Sequence, residues 1–416
     1  MHISSLPSDF GIGTLGKSAY EFVDFLKSAG QTYWQILPIH PTGYGASPYQ
    51  SFSSFAGNPF FIDLETVCNW GFLKKEDYEN IDFGSDPSKV DYEKLEKGRE
   101  EVFRTLFGNF KENIPQDFVR FCAASAHWLD DFSLFMAVKD ANSGAPFYLW
   151  EEGIRRREKG AVALWSQKCS ERVLYYKMLQ YFFFKQWTAL KKYANQKGIY
   201  IIGDMPIYVS GDSADVWANP KQFKLDKDFL PIEVAGCPPD AFSEDGQLWG
   251  NPVYDWRYMR LDGYKFWMRR LRAGFCNYDV LRIDHFRGFE SYYCIPYGSQ
   301  NAKNGVWRKG PDMHFFKAVK KALKNPPIIA EDLGFLTDAV YKMLKNSGYP
   351  GMKVLQFAFD SREESDYLPH RYTQNSVVYT GTHDNDTILG WLDSANPEEV
   401  KIAKKAAHEA VLKYRK

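Results

Sequence analysis

Residues 281–288 read LRIDHFRG, and this stretch joins a short apolar strand to a very polar end. The polar side chains are those of Arg282, Asp284, His285 and Arg287. A strand buried in a core has no use for so many polar groups, because each of them would have to be desolvated and paired. The stretch therefore predicts a strand whose carboxyl end delivers functional side chains into a pocket.

Three more apolar segments end in the same way, with an acidic or histidine side chain directly after the strand. They read IIGDMP (201–206), IIAEDLG (328–334) and VVYTGTHDN (377–385). Further strands are predicted at 33–39 and 353–359, and helices at 17–30, 174–196, 264–274, 313–324 and 335–347. Apolar strands that alternate with helices predict a parallel sheet that is covered on both faces.

Two layouts fit this alternation, an open doubly wound sheet and a closed (β/α)8 barrel. Catalytic residues that come from several strand ends and meet on one rim are typical of the barrel. An open sheet gathers its ligand groups at one switch point and usually has a glycine-rich phosphate loop, which this sequence lacks. The sequence therefore favours an α/β fold of the (β/α)8 barrel class.

Two segments interrupt the alternation and predict insertions on the barrel rim. Residues 66–172 are rich in charge and helical periodicity and are too long for a loop, so they predict a helical subdomain. Residues 210–258 are rich in Gly, Pro, Asp and Trp without regular periodicity, so they predict a rim loop that closes over the site. The segments 1–65, 173–209 and 259–416 are assigned to the barrel itself.

The charge balance and composition exclude several classes of partner. The chain has 416 residues with 52 basic and 52 acidic side chains, so the attraction that nucleic acids or anionic membranes require is missing. Aromatic residues make up 17% of the chain, and they suit stacking on sugars as well as core packing. The six cysteines are scattered without zinc-type spacing, and we find neither a signal peptide nor a membrane-spanning run. We therefore expect a cytoplasmic protein with a neutral partner, no metal and no cofactor.

Three acids, Asp284, Glu331 and Asp384, follow three different strands. Arg282 lies two positions before Asp284, so both side chains point to one face, and the guanidinium is expected to keep the aspartate ionised as a nucleophile requires. Burial would raise the pKa of Glu331 and let it act first as an acid and then as a base. Glycoside chemistry with retention needs such a pair, with carboxyl groups roughly 5–5.5 Å apart.

Simpler interpretations compete with this chemistry at each position. A lone carboxyl group at a strand end is more often a helix N-cap or a surface residue than a catalyst. His285 could equally be a core histidine. His383 could ligate a metal, but no second His or Cys lies at metal spacing, so hydrogen bonding to a substrate is favoured. Four polar strand ends in one chain favour the functional interpretation.

The chain resembles glycoside hydrolase family 77, the 4-alpha-glucanotransferases or amylomaltases, which are relatives of the α-amylases. The matching stretches are ISSLPSDFGIGTLG (3–16), GYGASPYQSFSSFAGNP (43–59), GDMPIYV (203–209), AGCPPDAFSEDGQLWGNPVYDW (235–256), LRIDHFRGF (281–289), AEDLG (330–334) and TGTHDNDT (380–387). They follow the family order and cover nearly the whole chain. The resemblance implies an enzyme that transfers a segment of a 1,4-alpha-glucan to the 4-hydroxyl of an acceptor glucan or glucose, with maltooligosaccharides among its substrates.

The resemblance also implies a role for each site residue. Asp284 would be the nucleophile that forms a covalent β-glucosyl-enzyme intermediate, Glu331 the general acid/base, and Asp384 the residue that holds the 2- and 3-hydroxyls of the distorted sugar. The substrate-binding positions that it implies are Arg282, His383, Asp204, Tyr49, Ser47, Asp240, Phe242 and Trp249. The aromatic rim loop would exclude water and so favour transfer over hydrolysis.

The sequence departs from the family pattern at both ends. Family members begin earlier, so the first barrel strand is clipped here. They also continue through an eighth strand after strand seven, and no such strand is predicted in this sequence. We therefore expect an unclosed barrel with two exposed strand edges. Two other functions stay open: an α-amylase-type hydrolase with the same acids, and an inactive glucan-binding fragment. The PPDAFS loop (238–243) and the lack of an evident calcium-binding Asp/Asn cluster favour transfer.

Overall fold

The structure is a computed structural model that describes residues 1–86, 88–239, 243–334, 336–359 and 365–414. Its strands are β1 (Tyr33–Gln35), β2 (Tyr200–Met205), β3 (Glu233–Cys237), β4 (Gln247–Pro252), β5 (Val280–Ile283), β6 (Ser291–Pro296), β7 (Val306–Lys309), β8 (Ile328–Ala330), β9 (Gly351–Val354) and β10 (Ser376–Tyr379). Its helices are α1 (Lys17–Ser28), α2 (Leu64–Asn69), α3 (Tyr92–Glu112), α4 (Gln116–Ala141), α5 (Glu152–Arg155), α6 (Lys159–Lys168), α7 (Ser170–Gln196), α8 (Ala214–Ala218), α9 (Trp256–Leu261), α10 (Lys265–Asn277), α11 (Met313–Leu323), α12 (Asp338–Ser347), α13 (Ile388–Ser394) and α14 (Pro397–Tyr414). Short 3-10 turns lie between several of these elements.

The parallel strands form the wall of the fold. Strands β1, β2, β5 and β8 pair in that order, with Asp204 beside Arg282 and Ile283 beside Ala330. Strands β9 and β10 form a second parallel pair. The two sheets are joined where the backbone N–H of Ala330 donates to the carbonyl of Pro350 at 2.9 Å. The wall therefore runs β1-β2-β5-β8-β9-β10, which is the order of a (β/α) barrel.

The strand that carries the LRIDHFRG motif is held in place by apolar burial. Leu281 and Ile283 of β5 are fully buried in the main core. Helix α10 lies directly over them, because a Cβ on Gly274 would come within 2.8 Å of the Leu281 side chain. A larger residue at position 274 would push helix and strand apart. This close packing fixes the height at which the end of β5 emerges from the core.

Within the described residues the barrel wall is open between β10 and β1. Ile3–Ser5, where the sequence predicts only the clipped end of a first strand, form a short 3-10 helix. In the described part of the chain no backbone ladder joins β10 to β1. A side-chain hydrogen bond spans the opening instead, from the Tyr379 hydroxyl to Gln35 Oε1 at 2.8 Å. The two edges are thus linked by side chains alone.

Residues 66–172 contain mostly helices, which pack against the long helix α7. An aromatic cluster of Phe110, Phe118 and Phe182 holds α3, α4 and α7 together. Helix α7 is also tied to the barrel, because the Gln180 amide donates to the carbonyl of Gly57 at 2.9 Å. None of the helices in the described ranges has the length and apolar content that crossing a bilayer demands.

The interpretation of residues 210–258 as an irregular rim loop is wrong. Strands β3 and β4 lie in this segment and form an antiparallel sheet with β6 and β7, in the order β4-β3-β6-β7. The alternating pattern of a half-buried sheet is weak here, because β7 is exposed along its whole length and a register shift interrupts β3 between Val234 and Gly236. The segment after LRIDHFRG supplies the other half of this rim sheet.

Two predicted strands are shorter than expected. Strand β1 ends at Gln35. The Ile36 amide still donates to Ile202 O of β2 at 3.0 Å, but Leu37 N donates to His2 Nδ1 at 3.2 Å and Pro38 has no N–H. Strand β9 ends at Val354, and Leu355–Phe359 form a 3-10 helix instead of more strand. A continuous apolar run does not distinguish a buried strand from a buried turn of helix, which explains the second error.

Candidate active site

The polar ends of the parallel strands meet at one rim of the barrel. Asp204 lies near the end of β2, Asp284 directly after β5, and Glu331 directly after β8. The strands are adjacent and in register, so the Asp284 amide donates to Met205 O at 3.1 Å and the Glu331 amide donates to Ile283 O at 3.0 Å. Backbone pairing thus brings the three carboxyl groups to the same edge.

Arg282 is the central cation of this rim. Its Nη1 lies 2.7 Å from Asp204 Oδ1 and 3.0 Å from Asp284 Oδ1, and its Nε lies 3.4 Å from Met352 Sδ. Burial alone would lower the pKa of the guanidinium, but the carboxylates of Asp204 and Asp284 outweigh this effect and raise it. One buried arginine therefore contacts two carboxyl groups from neighbouring strands.

The charge state of Asp284 differs from the prediction. The contact with Arg282 is present, and it lowers the pKa of the carboxyl group as expected. Burial has the larger and opposite effect, however, and Asp204 and Glu331 add like-charge repulsion, so the pKa of Asp284 is raised overall. The side chain is still 31% exposed, and its open side faces solvent. Burial thus outweighs the guanidinium, which alone does not determine the charge of Asp284.

Glu331 is bound by backbone donors on both oxygens. Oε2 accepts from the amide of His285 at 2.7 Å, and Oε1 accepts from the amide of Leu333 at 2.8 Å. Burial raises the pKa of Glu331, although Arg282 and the two amides oppose it. A raised pKa is what an acid needs in order to hold its proton until a leaving group takes it.

Tyr49 connects the strand ends of β2 and β10. Its hydroxyl donates to Asp204 Oδ2 at 2.6 Å and lies 3.0 Å from His383 Nε2, and the two rings stack with centroids 5.8 Å apart. Burial and the carboxylates of Asp204 and Asp284 raise the pKa of Tyr49, so it remains a phenol. Since its one proton goes to Asp204, His383 must donate from Nε2. Ser47 supports the turn, because its Oγ accepts from the Tyr49 amide at 3.2 Å.

Asp384 lies on the open side of the cleft. Its side chain is 77% exposed, and its carboxyl group lies 3.4 Å from His383 Nε2. The turn is held by Asn385, whose Oδ1 accepts from the Thr382 amide at 2.9 Å. Within the described residues no hydrogen bond or ion pair joins Asp384 to Asp284 or Glu331. The structure therefore places Asp384 on the same rim but does not fix it against the other acids.

Trp249, on β4, brings the rim sheet to the acids. Its indole meets the imidazole of His285 edge to face, with centroids 4.8 Å apart and an interplanar angle of 89°. Its carbonyl accepts from Gln50 Nε2 at 3.0 Å. Two other predicted substrate contacts, Asp240 and Phe242, lie outside the described residues.

The family model of the 4-alpha-glucanotransferases of glycoside hydrolase family 77 matches residues 1–415 of this chain. The chain belongs to this family. It is 50% identical over 402 residues to the 4-alpha-glucanotransferase of Clostridium butyricum, which is 96% of this chain and 82% of that one. It is 46% identical over 405 residues to that of Thermus thermophilus, which is 96% of this chain and 80% of that one. The family resemblance seen in the sequence is confirmed.

Solved structures of glucanotransferases agree with the barrel fold. The amylomaltase of Streptococcus agalactiae in complex with acarbose is 46% identical and superposes with a TM-score of 0.95, over 98% of this chain and 83% of that one. The amylomaltase of Corynebacterium glutamicum, at 19% identity and a TM-score of 0.73, shares the fold over 97% of this chain and 58% of that one. The predicted (β/α)8 class is confirmed, and so is the enzyme class: this family member transfers segments of alpha-1,4-glucans.

Sequence reasoning missed two groups that shape this glucanotransferase site. The His285 amide binds Glu331 through the backbone, which no residue letter shows. Asp332 is 3% exposed, and its Oδ1 accepts from the Met352 amide at 2.6 Å, which ties β8 to β9 below the acid. Two consecutive acids at the end of one strand were the available signal, since only one of them can face the cleft.

The described residues contain no group of three or more His, Cys, Asp or Glu side chains arranged to hold a metal ion. The acids of this glucanotransferase-family site are instead paired with one arginine and with backbone amides. Such an arrangement can stabilise and move single charges on a neutral substrate. It fits proton transfer and attack by a carboxylate.

Proposed function

We propose that this rim carries out glucan transfer by a retaining double displacement, with Asp284 as nucleophile and Glu331 as general acid/base. The observation that carries the proposal is their placement: the two carboxyl groups follow adjacent parallel strands, and the amide of the residue after Asp284 donates to Glu331 at 2.7 Å. Two carboxyl groups in such different surroundings are suited to separate roles.

In the first step, an Asp284 oxygen attacks the anomeric carbon of the donor glucan. The bond between that carbon and the glycosidic oxygen breaks, and the proton of Glu331 moves to the departing oxygen, which leaves as a free 4-hydroxyl. The products are a covalent β-glucosyl ester on Asp284 and an ionised Glu331. Arg282, 3.0 Å from Asp284, supports the ionised carboxylate before attack.

In the second step, the 4-hydroxyl of an acceptor glucan or glucose attacks the same carbon. Glu331 takes the hydroxyl proton, the ester bond to Asp284 breaks, and both carboxyl groups return to their starting states. Two inversions give retention of the α-configuration. Water in place of the acceptor would give hydrolysis, so exclusion of water decides the outcome.

The other predicted residues surround this reacting centre. We propose that Asp384 holds the 2- and 3-hydroxyls of the sugar, and that its exposure of 77% leaves it free to do so. The polar wall of the donor pocket would consist of Arg282, Asp204, His383, Tyr49 and Ser47. Trp249 would stack against a sugar on the acceptor side, and Asp240 and Phe242 are also proposed to contact the glucan.

Two observations support a neutral oligosaccharide as the substrate. The similar amylomaltase of Streptococcus agalactiae has been solved with acarbose bound, which supports a comparable site for maltooligosaccharides here. The chain itself carries equal numbers of basic and acidic residues, 52 of each, which favours an uncharged glucan over nucleic acid or a membrane surface.

Incubation with maltotriose tests the proposal. Glucose together with a ladder of longer maltooligosaccharides is expected, whereas glucose and maltose alone would indicate an α-amylase-type hydrolase. Asp284→Asn and Glu331→Gln should each abolish the ladder. Asp393→Asn and Glu76→Gln are matched controls on exposed carboxyl groups and should leave it intact. A normal ladder from either active-site variant, or no products from the folded protein, would refute the assignment.

A further inference from the structure

His285 has an unusual backbone at the centre of the site. It follows Asp284 directly and has φ 50° and ψ 49°, the left-handed conformation that residues other than glycine rarely adopt. Its N–H donates to Glu331 Oε2 at 2.7 Å. The other oxygen of Glu331 is bound from its own strand end, by the amide of Leu333. The His285 amide is thus the backbone link from the end of β5 to the acid/base carboxylate.

We propose that His285 is a positioning residue for glucan transfer, whose left-handed backbone holds an amide against Glu331 and so orients and stabilises the acid/base. The proposal rests on the function proposed above, because it assumes that Glu331 exchanges a proton with the glycosidic oxygen. The backbone amide of His285 orients Glu331, and the imidazole supports the backbone conformation.

The imidazole keeps the backbone in this conformation by packing. One side of the ring meets Trp249 edge to face at 4.8 Å. The other side lies against Gly288, where an added Cβ would come within 3.1 Å of His285 Cδ2. The Nε2 atom is buried and makes no hydrogen bond to any described residue, and burial lowers the pKa of His285 to about 3, so the ring is neutral. The ring therefore acts through shape and not through charge.

The hydrogen bond gains strength when Glu331 becomes charged. A backbone N–H binds an ionised carboxylate more strongly than a protonated one. Glu331 acquires negative charge as its proton moves to the departing oxygen, so an amide already in place stabilises the transition state of that step without rearrangement. The same amide holds the ionised carboxylate ready to accept the proton of the acceptor hydroxyl.

The amide acts among several other charges. The charged and titratable groups around Glu331 are Arg282 and Asp284 from β5, Asp332 from its own strand end, and Tyr367. Burial raises the pKa of Glu331, Arg282 and the two amides lower it, and Asp332 raises it. Loss of the His285 hydrogen bond removes one of the influences that favour the ionised form. The pKa of Glu331 must then rise further.

Two substitutions separate the backbone from the ring. His285→Val introduces a β-branched residue that disfavours the left-handed region, so the amide should turn away from Glu331. His285→Asn removes the ring but tolerates that region. For maltotriose, kcat/KM of the Val variant should fall about 10- to 100-fold. The alkaline limb of its pH profile should move up by about one pH unit, since Glu331 holds its proton longer.

The Asn variant should lose far less activity, and its alkaline limb should stay in place. Ser143→Val is the matched control, because Ser143 has a similar φ of 55° on an exposed loop away from the site. It should lose stability from the same backbone strain while its pH profile stays unchanged. If His285→Val does not fold, His285→Ala takes its place, with a smaller shift in the same direction.

Equal losses in the Val and Asn variants with an unmoved alkaline limb would overturn the proposal and leave His285 a packing residue. A readout independent of turnover is the titration of the Glu331 carboxyl by isotope-edited infrared difference spectroscopy, with Glu331→Gln identifying its band. The pKa should be higher in His285→Val than in the wild type. If this rise is seen but maltotriose is not disproportionated, the function proposed above fails while the positioning by His285 stands.

Discussion

The carboxyl groups after β5 and β8 differ sharply from the one after β10. Asp284 contacts a buried arginine, and both oxygens of Glu331 accept backbone hydrogen bonds. Asp384 is 77% exposed, and among the described residues its ion-pair contact is with the imidazole of His383 at 3.4 Å. The first two groups are fixed by a paired sheet, and the third stands on a turn.

This difference shows which part of the site is organised before substrate binds. Adjacent parallel strands hold the proposed nucleophile and acid/base, so their geometry is already established before the reaction. If Asp384 contacts the sugar as proposed, the sugar has to order it, and that ordering reduces the net binding energy. With the proposed roles, the rim of the barrel combines a fixed reacting pair with an exposed sugar-binding residue.

The largest effect on stability is expected from removing the contacts of Arg282 with Asp204 and Asp284. Arg282→Met leaves the buried Asp204 carboxyl and the partly exposed Asp284 carboxyl without their shared cation, and the free energy of unfolding should fall by about 3–5 kcal/mol. Urea denaturation measures it. The double variant Asp204→Asn/Arg282→Met should recover part of the loss, because the buried unpaired carboxyl group is gone. A loss below about 1 kcal/mol for the single variant would show that the contacts of Arg282 do not stabilise the rim.

A smaller effect on stability is expected at Tyr49, which connects Asp204 of β2 with His383 after β10. Tyr49→Phe removes the hydroxyl that donates to the buried Asp204 carboxylate at 2.6 Å, which should cost about 1.5–3 kcal/mol of stability. It also frees His383 from its partner, so the turn that carries Asp384 should become more mobile. The exposed Tyr33→Phe is the control and should unfold like the wild type. Unchanged stability of the Tyr49 variant would mean that solvent replaces the hydroxyl.

The pH dependence of stability sharpens the same comparison. Burial raises the pKa of Asp284 above its unfolded value, so the folded state binds this proton more tightly. Its contribution to stability is complete below the unfolded value of about 3.9 and is lost as pH rises through the folded value. Asp284→Asn removes that dependence, so its stability relative to the wild type should increase as pH rises towards neutrality. Urea denaturation at several pH values measures this, and Asp393→Asn should show no such trend.

The smallest effect on stability is expected at the exposed Asp384. Asp384→Asn should change the free energy of unfolding by less than about 0.5 kcal/mol, because no buried partner loses its contact. The same variant should lose glucan transfer if Asp384 holds the sugar hydroxyls as proposed. Its thermal midpoint and its maltotriose products can be measured on one preparation. A destabilisation as large as that of the Arg282 variant would show that Asp384 is held as firmly as the acids that follow β5 and β8.

The parallel wall of the fold could be predicted because its strands are apolar and end in polar residues. β2, β5, β8 and β10 all lie where the sequence placed them. The rim sheet could not be predicted in the same way. Gly236, Gly250 and Pro252 weaken the strand pattern of β3 and β4, and β7 has no buried face that would give alternation. Its pairing depends on strands more than 40 residues apart in the chain.

The site was predictable where side chains define it. The spacing of Arg282 and Asp284 on one strand face indicated their contact, which the structure places at 3.0 Å. The net charge preference of Asp284 was not predictable, because it depends on a balance between burial and that contact. The hydrogen bond from the His285 amide to Glu331 was equally unpredictable, because the direction of a backbone donor depends on conformation and not on residue type.

The contact between Tyr49 and His383 has a consequence for the order of assembly. These residues are 334 positions apart, so their hydroxyl–imidazole contact closes one of the longest loops in the chain. Closure of such a loop is entropically costly and slow compared with helix formation. During refolding, helical circular dichroism should therefore return before the donor pocket is complete. During synthesis, helices α1 to α12 precede His383 in the chain and can form before this contact closes.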